Sequence, residues 1–153
     1  MAPPLVDFEY ARFPAVRIAS ISWSGPWNEK KIRSQFEKVA AWAKRTGTKT
    51  GRWIFREPGE RRWEAGLELK GKARASGGIR LKTLRAAPIA RVTFDPEAVS
   101  PRVVYHGLND WLKWQKKEKK IRGVVSSREV YSGNPWRDPK VWARIEVQFV
   151  VRK

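Results

Sequence analysis

The sequence predicts an α+β fold made of two related halves, each with the order strand, strand, helix, strand, strand. Three observations support this prediction. Two amphipathic helical patterns stand in corresponding places, one over residues 27–45 and one that starts at residue 100. Two extended segments separated by a proline precede each helical pattern, and two further strand patterns follow it. Two such halves are expected to form one antiparallel sheet with two helices on one face and a central cleft where the halves meet.

The first two strands are indicated by short apolar patterns on either side of Pro14. Residues 6–10 alternate apolar and acidic side chains, and residues 16–23 are rich in Val, Ile, Ser and Trp. Alternation with a period of two is typical of a half-buried strand. We expect a tight connection at Pro14. The extended run ends at residues 24–26, where Pro26 is placed to begin a helix.

The first helix is predicted by an apolar stripe along residues 27–45. The stripe has the spacing of one helix face and consists of Ile32, Phe36, Val39 and Ala43. Gly47 is expected to end the helix in the left-handed conformation, which glycine adopts without strain. The rest of this half is predicted as two strands, the turn between them and a linker, at 52–56, 63–70, 57–60 and 72–78.

The second half repeats this order. Ser100 and Pro101 indicate the start of its helix, because serine is a good cap and proline fits the first helical position. The apolar stripe of this helix consists of Val104, Leu108, Trp111 and Leu112. Cations from Lys116 to Lys120 are expected to close the helix, where its dipole is negative. The four strands of this half are predicted at 79–84, 89–94, 128–132 and 142–150, with a break at 86–88 between the first two.

The two halves can be aligned in the helix and in the strand that follows it. In the helix, Ile32, Phe36, Val39, Ala40 and Trp42 correspond without a gap to Val104, Leu108, Trp111, Leu112 and Trp114. In the strand, Trp53-Ile54-Phe55 falls opposite Glu129-Val130-Tyr131. We therefore predict a single domain over residues 1–153, with pseudo-repeats at 5–71 and 78–151.

The composition is unusual in its charge and in its tryptophan content. The 153 residues carry a formal charge of +18, from 33 Lys and Arg against 15 Asp and Glu, and include nine tryptophans. Strong positive charge favours anionic partners, whereas tryptophan more often forms core or pocket wall. Because the chain has no cysteine, disulfides and thiolate chemistry are excluded. Without a membrane-length apolar run, and without signal-peptide features at residues 1–5, a cytoplasmic protein with no membrane association is expected.

The stretch 128–136 contains the best candidate for a binding site. Side chains two apart on a strand share a face, so Glu129 and Tyr131 are expected to project together while Val130 points the other way. A carboxylate beside an aromatic ring in a cleft suits a cationic or hydrogen-bonding organic ligand. The matching strand of the first half carries Trp53 and Phe55 instead, so the groove is expected to be asymmetric. The candidate tryptophans of the cleft walls are Trp23, Trp27, Trp53 and Trp136.

Structural alternatives stay open for the charged residues. Glu129 is equally compatible with a surface position on an edge strand, or with a salt bridge to Arg128 or Arg144. A basic run near the end of the second helix is either a solvated helix end or a contact for a polyanion such as DNA. This run consists of Lys113, Lys116, Lys117, Lys119, Lys120 and Arg122.

Other kinds of site are not indicated. The sequence has no glycine-rich phosphate loop, no zinc-binding pattern and no Ser/His/Asp arrangement. The single histidine, His106, lies mid-helix with no acidic cluster nearby. Neither a metal nor a cofactor is therefore predicted.

Several stretches, taken in their order and spacing, resemble the GyrI-like small-molecule-binding domains. Residues 13–19, 24–27 and 36–42 are similar to the first half of that family, where a Pro-Ala pair enters a strand, a Gly-Pro-aromatic turn follows and a helix ends in Ala-Trp. Residues 63–69 are similar to the closing strand of that half, and residues 128–131 to the Glu-x-Tyr strand of the second half. The similarity extends over about residues 6–151.

This resemblance implies a duplicated ββαββ fold whose central cleft binds amphipathic, often cationic, organic molecules. The family includes effector-binding domains of multidrug-responsive regulators, stand-alone proteins that protect gyrase or sequester toxins, and a subset of hydrolases. The acidic residue of that cleft corresponds to Glu129, its aromatic neighbour to Tyr131, and the Gly-Pro-aromatic position to Trp27. Two features depart from the family pattern: residues 95–97 replace a second Gly-Pro-aromatic turn, and Arg144 lies at or near an acidic position.

We therefore expect a stand-alone protein that holds an aromatic or amphipathic compound in its cleft, for sequestration or sensing. The resemblance favours a cationic compound, whereas Arg144 and the net charge of +18 argue against that sign. Two alternatives remain. One is a hydrolase of reactive electrophiles with Glu129 as its catalytic residue, and the other is a basic protein that interacts with nucleic acid or gyrase.

Overall fold

The computed structural model of the chain describes residues 7–153, and within that range it contains one eight-stranded antiparallel sheet and three helices. The strands are β1 (Glu9–Phe13), β2 (Val16–Ser24), β3 (Thr50–Gly59), β4 (Arg62–Leu69), β5 (Arg80–Leu84), β6 (Ala87–Phe94), β7 (Gly123–Tyr131) and β8 (Ile145–Arg152). The helices are α1 (Glu29–Thr46), α2 (Pro101–Lys117) and α3 (Pro139–Trp142). The predicted α+β fold with duplicated ββαββ halves is confirmed. The predicted strand start at Val6 lies outside the described residues.

The order of the strands is symmetric with respect to the two halves. Across the sheet it runs β1-β6-β8-β7-β3-β4-β2-β5. If each strand of the first half is exchanged for its counterpart in the second, the same order is read from the other end. The outermost strand of each half pairs with the other half, since β1 pairs with β6 and β5 pairs with β2. The connection at Pro14 therefore joins two strands that are not neighbours in the sheet.

The two halves meet at the central strands β3 and β7. In this pair Ile54 faces Val130, Trp53 faces Tyr131 and Phe55 faces Glu129. Ile54 and Val130 are also equivalent positions in the aligned repeats. Because each of these two residues is both the counterpart and the neighbour of the other, a pseudo-two-fold axis passes between them.

Helix α1 begins two residues later than predicted because Asn28 caps it. The Asn28 side chain accepts a hydrogen bond of 3.0 Å from the backbone N–H of Lys31, which satisfies one of the free donors of the first turn. Gly47 follows the last turn with a φ of 66°, as predicted. The predicted apolar stripe is buried in full, namely Ile32, Phe36, Val39 and Ala43.

Helix α2 begins at Pro101 as predicted, although the Ser100 side chain makes no capping hydrogen bond. Of its predicted stripe, Val104, Leu108 and Leu112 are buried and Trp111 is half-buried. Both long helices contribute to the same apolar cluster and so cover the same face of the sheet. No helix within residues 7–153 is long and apolar enough to cross a membrane.

Several element boundaries differ from the prediction. The first strand is Glu9–Phe13 instead of residues 6–10, and β6 begins at Ala87, inside the predicted break at 86–88. β3 continues through the predicted turn to Gly59, and the chain reverses at residues 60–61. β7 begins at Gly123 rather than at Arg128. The last strand begins only at Ile145, because Asp138 caps the short helix α3 by accepting a hydrogen bond of 3.0 Å from the backbone N–H of Lys140.

The face of the sheet opposite the long helices carries a smaller apolar cluster and buried charges. The cluster consists of Phe13, Val16, Ile18, Ile54, Leu84, Ile89, Val130 and Val150. Glu64 lies on this face with 1% of its surface exposed, and it accepts a hydrogen bond of 3.0 Å from Ser20. Arg56 and Lys82 form ion pairs with Glu64. The sheet thus separates an apolar side from a charged side.

Candidate functional site

A cavity of about 300 Å³ lies on the helix-covered face, between the two long helices and the central strands. Its lining is mostly aromatic or apolar and comes from both halves: Trp27, Glu29, Ile32, Phe36, Phe55, Phe94, Pro101, Tyr105, Glu129, Tyr131, Pro135, Trp136, Trp142 and Ile145. An adjoining cavity of about 340 Å³ shares Phe55, Tyr105 and Glu129 with the first and continues to Trp63 and Glu57. We call the two together the cleft. Glu129 therefore lines both parts of the cleft.

Glu129 projects from β7 into the cleft and is held there by two phenols. Tyr131 lies on the same face of the strand, while Val130 belongs to the cluster on the opposite face, as the strand alternation predicted. The Tyr105 hydroxyl, from α2, donates a hydrogen bond of 2.5 Å to Glu129 Oε1. The Tyr131 hydroxyl donates to Glu129 Oε2. Each carboxylate oxygen thus has one phenol donor.

Both phenols are kept in the protonated, donating form. Burial raises the pKa of Tyr105 and of Tyr131 well above the ordinary value, and the neighbouring Glu129 carboxylate raises it further. A phenol that hydrogen-bonds a carboxylate cannot lose its proton without placing two negative charges side by side. The phenols therefore orient Glu129 and hydrogen-bond it without neutralising its charge.

The alternative role of Glu129, a salt bridge to Arg128 or Arg144, is not seen among the described residues. Among the ion pairs of residues 7–153, none includes Glu129. Arg128 points to the opposite face, where its guanidinium lies 4.7 Å from the centre of the Phe13 ring. Arg144 is exposed and lies with Val130 in a separate depression. Strand alternation explains the position of Arg128, which precedes Glu129 in β7 and so faces away from it. Arg144 lies outside the strands, directly before β8.

The charge of the main cavity is opposite to that of the chain. The charged residues among its lining side chains are Glu29 and Glu129, and neither Lys nor Arg is among those described. The chain as a whole carries +18. An acidic, aromatic cavity in a basic protein is therefore a local feature that net charge conceals.

Two of the four candidate tryptophans line the cavity. Trp27, at the Gly-Pro-aromatic position, stands at the rim with 61% of its surface exposed. Trp136 is half-buried and lies 5.8 Å from the Phe36 ring, measured between ring centres. These two residues thus form part of the cavity wall.

The other two candidate tryptophans lie outside the cavity lining. Trp53 is buried behind Phe36, on which it stacks with ring centres 5.2 Å apart and an interplanar angle of 15°. Trp23 is half-buried and faces Trp63 across the β2–β4 pair. Neither Trp23 nor Trp53 is among the side chains that line the cleft, and Phe36 of α1 covers Trp53.

Sequence reasoning did not assign four aromatic residues to the cavity, namely Phe36, Phe94, Tyr105 and Trp142. Of these, Phe36 was expected only in the apolar stripe of α1, and Tyr105 and Trp142 were not expected in the site at all. Tyr105 follows Val104 of the α2 stripe, so it sits on the flank of the helix that faces the cleft. Trp142 ends α3, a helix of four residues that no periodicity could have indicated. Both come from elements remote in sequence from Glu129, and no local pattern places them beside it.

The basic run of the second half lies away from the cavity lining. Its members are exposed on the last turns of α2 and just after it: Lys113, Lys116, Lys117, Lys119, Lys120 and Arg122. His106 is also exposed. In residues 7–153, no three His, Cys, Asp or Glu side chains are grouped closely enough to hold a metal ion.

Comparison with solved structures shows that the fold recurs in other proteins. No protein-family model and no curated protein sequence matches the chain. The crystal structure of the C-terminal domain of EcmrR is similar with a TM-score of 0.70 and 18% identity, over 98% of this chain and 99% of that one. EcmrR in a complex with DNA gives a TM-score of 0.75 and 17% identity over 97% of this chain, which spans only 58% of the EcmrR chain.

Two further proteins share the fold at lower identity. SAV2435, in a structure with bound tetraphenylphosphonium, has a TM-score of 0.57 and 9% identity, over 95% of this chain and 94% of its own. A hydrolase from Listeria innocua has a TM-score of 0.60 and 11% identity, over 94% and 91%. At these identities the comparison establishes the fold, and the GyrI-like assignment of the chain stays a prediction.

Proposed function

We propose that the protein binds an aromatic or amphipathic organic cation in the cleft, for sequestration or sensing. The observation that supports this most directly is Glu129. It is a carboxylate fixed by two phenols, without an ion-pair partner among the described residues, in a cavity walled by aromatic rings. A cation with apolar substituents satisfies both the unpaired charge and the apolar wall.

The expected strength of binding follows from the groups that line the cavity. A cation over an aromatic ring contributes roughly 0.5–2 kcal/mol. Two or three such rings, together with a carboxylate in a partly dehydrated cavity, give an affinity in the micromolar range, about 8 kcal/mol of binding free energy. The bound SAV2435 structure shows that a protein of this fold holds a lipophilic cation.

The net charge of the chain does not oppose this proposal. At physiological ionic strength the field of distant surface charges is screened within roughly 8 Å. A carboxylate within about 4 Å of the ligand acts through a medium less polar than water, and its attraction is correspondingly stronger. The sign of the ligand is therefore decided by Glu29 and Glu129 rather than by the basic surface.

A matched pair of probes tests the sign of the ligand. Tetraphenylphosphonium and tetraphenylborate have the same shape and opposite charge. Titration of both into the full chain, followed by tryptophan fluorescence and calorimetry, should show tighter binding of the phosphonium by at least about tenfold, equal to 1.4 kcal/mol. Tighter binding of the borate would show that the net charge governs recognition, and would contradict the proposal.

Two variants locate the binding. Glu129→Gln should weaken tetraphenylphosphonium binding at least about tenfold and leave tetraphenylborate binding unchanged or tighter. Glu37→Gln makes the same charge change on the exposed side of α1, where Glu37 pairs with Arg33, and serves as the control. If the two variants bound the phosphonium equally well, the cleft would not be the site.

A hydrolase function is the second candidate, supported by the fold shared with the Listeria innocua protein and by the position of Glu129. In this reading Glu129 activates a water molecule toward an electrophilic substrate held by the aromatic wall. The discriminating result is turnover of a reactive ester or epoxide that Glu129→Gln abolishes while binding persists. Binding without turnover in the unaltered chain assigns the cleft to sequestration or sensing.

A further inference from the structure

Arg128 occupies an unusual position on the face of the sheet opposite the cleft. Only 5% of its surface is exposed, and its guanidinium lies over the Phe13 ring. Across the sheet it faces Arg56 on β3 and Gln148 on β8. Like charges directly opposite each other on neighbouring strands destabilise a sheet. A buried arginine between another arginine and a neutral amide is thus short of negative charge.

Arg128 also lacks hydrogen-bond acceptors, which confirms that negative charge is missing around it. Within residues 7–153 its Nε and Nη1 atoms are buried without an acceptor, and it takes part in no ion pair. The amide oxygen of Gln148 is also buried without a partner, but it carries no charge. Burial, together with repulsion from Arg56, lowers the pKa of Arg128 to about 10. Unsatisfied buried donors of a charged group are costly.

In the first half of the chain, the arginine equivalent to Arg128 has a carboxylate partner. Arg52 precedes Ile54 by two residues, as Arg128 precedes Val130, so the two arginines are equivalent under the pseudo-two-fold axis. Arg52 donates from Nε and from Nη2 to the two oxygens of Glu68, each at 3.1 Å. In the second half, the residue across from Arg128 is Gln148 instead of a glutamate. The second arginine therefore lacks the carboxylate that its counterpart has.

Further cations gather where that carboxylate is missing. Arg128 lines a depression of about 400 Å³ together with Arg56, Lys82, Arg85 and Ser126. Lys82 and Arg85 are exposed at its edge, while Arg56 and Arg128 lie deeper. The carboxylate in contact with this group is that of Glu64, which pairs with Arg56 and Lys82. With four cationic side chains and one carboxylate, the depression has a net positive charge.

We propose that this depression binds a phosphate-type oxyanion, either inorganic phosphate or the phosphate group of a monoester. Guanidinium groups present paired donors that match phosphate oxygens. Ser126 adds a hydroxyl donor at the depression. The anion takes the place that Glu68 occupies in the first half. The depression lies on the face of the sheet opposite the main cavity, since Leu84 and Val150 of the smaller apolar cluster line it. Arg128 also borders the adjoining cavity of the cleft.

The test is a titration of the full chain with inorganic phosphate at constant ionic strength, followed by thermal unfolding and by phosphorus NMR. Constant ionic strength removes the diffuse attraction that a chain of +18 exerts on any anion. Gln148→Glu restores to the second half the carboxylate of the first, so it should weaken phosphate binding at least tenfold, as should Arg128→Gln. Asn109→Asp and Lys117→Gln make the same charge changes at exposed positions of α2 and should leave binding unchanged.

Each outcome has a definite meaning. Saturable binding that is lost in both test variants and kept in both controls supports the site. Equal weakening in the tests and the controls would reduce the effect to net charge and overturn the proposal. An absence of saturable binding would overturn it as well. Glycerol phosphate in place of inorganic phosphate distinguishes a monoester ligand from the free ion, since only the monoester also contacts the rim.

Discussion

At the scale of single residues, the site depends on a carboxylate whose hydrogen bonds orient it without cancelling its charge. A lysine or arginine partner would have made Glu129 a structural ion pair, as happens to Glu64 and Glu68 on the opposite face. Phenols instead donate one hydrogen bond each and stay neutral. In the proposed function this charge is available to the ligand, and its position is fixed before the ligand binds.

The coupling between Glu129 and its phenols can be measured. In a double-mutant cycle of Glu129→Gln with Tyr131→Phe, we expect a coupling of about 1 kcal/mol or more in the free energy of unfolding, because a hydrogen bond to a charged group contributes roughly 1.5–3 kcal/mol. Urea denaturation of the four proteins supplies the values. Tyr10→Phe is the matched control, since its hydroxyl bonds Gln115 outside the cleft. If the changes in the free energy of unfolding caused by Glu129→Gln and Tyr131→Phe were additive, the hydrogen bond between the two side chains would be contradicted.

Sequence reasoning reached part of this site because part of it is local. Glu129 and Tyr131 lie two residues apart on one strand, and alternation alone gives them a common face. Tyr105 was not foreseen, since it reaches Glu129 only through the packing of α2 on the sheet. Trp53 lies on the cleft face of β3, but Phe36 of α1 covers it. Whether Trp53 reaches the cavity therefore depends on where α1 packs on the sheet, and a strand pattern does not show that.

At the scale of elements, the ion pair of the β3–β4 hairpin gives the fold a dependence on acid. Hydrogen bonds from Arg52, and its charge, lower the pKa of Glu68 from 4.5 to about 2. A depressed carboxylate pKa stabilises the folded state above the unfolded value, and this contribution is lost as the pH falls toward the folded value. Since Arg52 is 37% exposed, solvent screening limits the contribution to about 1 kcal/mol.

Arg52→Gln tests this contribution. The variant should be less stable than the unaltered chain by about 1 kcal/mol near neutral pH, and the difference should shrink as the pH is lowered from about 5 to about 3. Denaturation with urea across this range gives the difference at each pH. Arg33→Gln removes a more exposed ion pair, with Glu37, and should show a smaller difference with little pH dependence. If the stability difference between Arg52→Gln and the unaltered chain did not change with pH, Arg52 would stabilise the fold through its packing over Phe13 rather than through its charge.

The elements that the sequence predicted well are those with strong periodicity or clear end signals. The α1 stripe and Gly47 set that helix, and Pro101 sets the start of α2. Elements without these signals were shortened or missed. The first residues of β7 include the exposed Val124 and Val125, which no burial pattern identifies as strand, and α3 is a single turn.

At the scale of the whole molecule, the two halves are interlocked. Each half gives its first strand to the other, and the central pair β3–β7 joins them. The first half alone would lack β6, β7 and β5, which are the partners of β1, β3 and β2 from the second half. It would also lose the part of the shared apolar cluster that α2 contributes. The charge of +18 adds repulsion that a half with less buried surface could not offset.

We therefore expect that fragments 1–77 and 78–153 do not fold separately but assemble when mixed. Each fragment alone should show no cooperative unfolding transition by circular dichroism, whereas the equimolar mixture should show one. As a control, a chain cut by protease within the 72–78 linker after folding should keep its transition. A cooperative transition in either fragment alone would mean that the halves are independent units, contrary to the strand exchange.

The repeat was visible in the sequence, but the exchange of strands between the halves was not. Alignment placed Ile54 on Val130, and the structure puts the symmetry axis between them. Which strands pair across the sheet depends on contacts far apart in the chain, and two consecutive strands around Pro14 gave no sign that they would separate. The fold class thus followed from local patterns, and its topology did not.

The axis between Ile54 and Val130 also sets a stoichiometry for the proposed ligand. A fully symmetric molecule would carry two equivalent acidic sites, and would bind two ligands or one in either of two orientations. Here the position equivalent to Glu129 is Trp53, which is buried behind Phe36 and carries no charge. The molecule should therefore saturate at one cation per chain, with the ligand bound in a single polarity and its charged end toward Glu129.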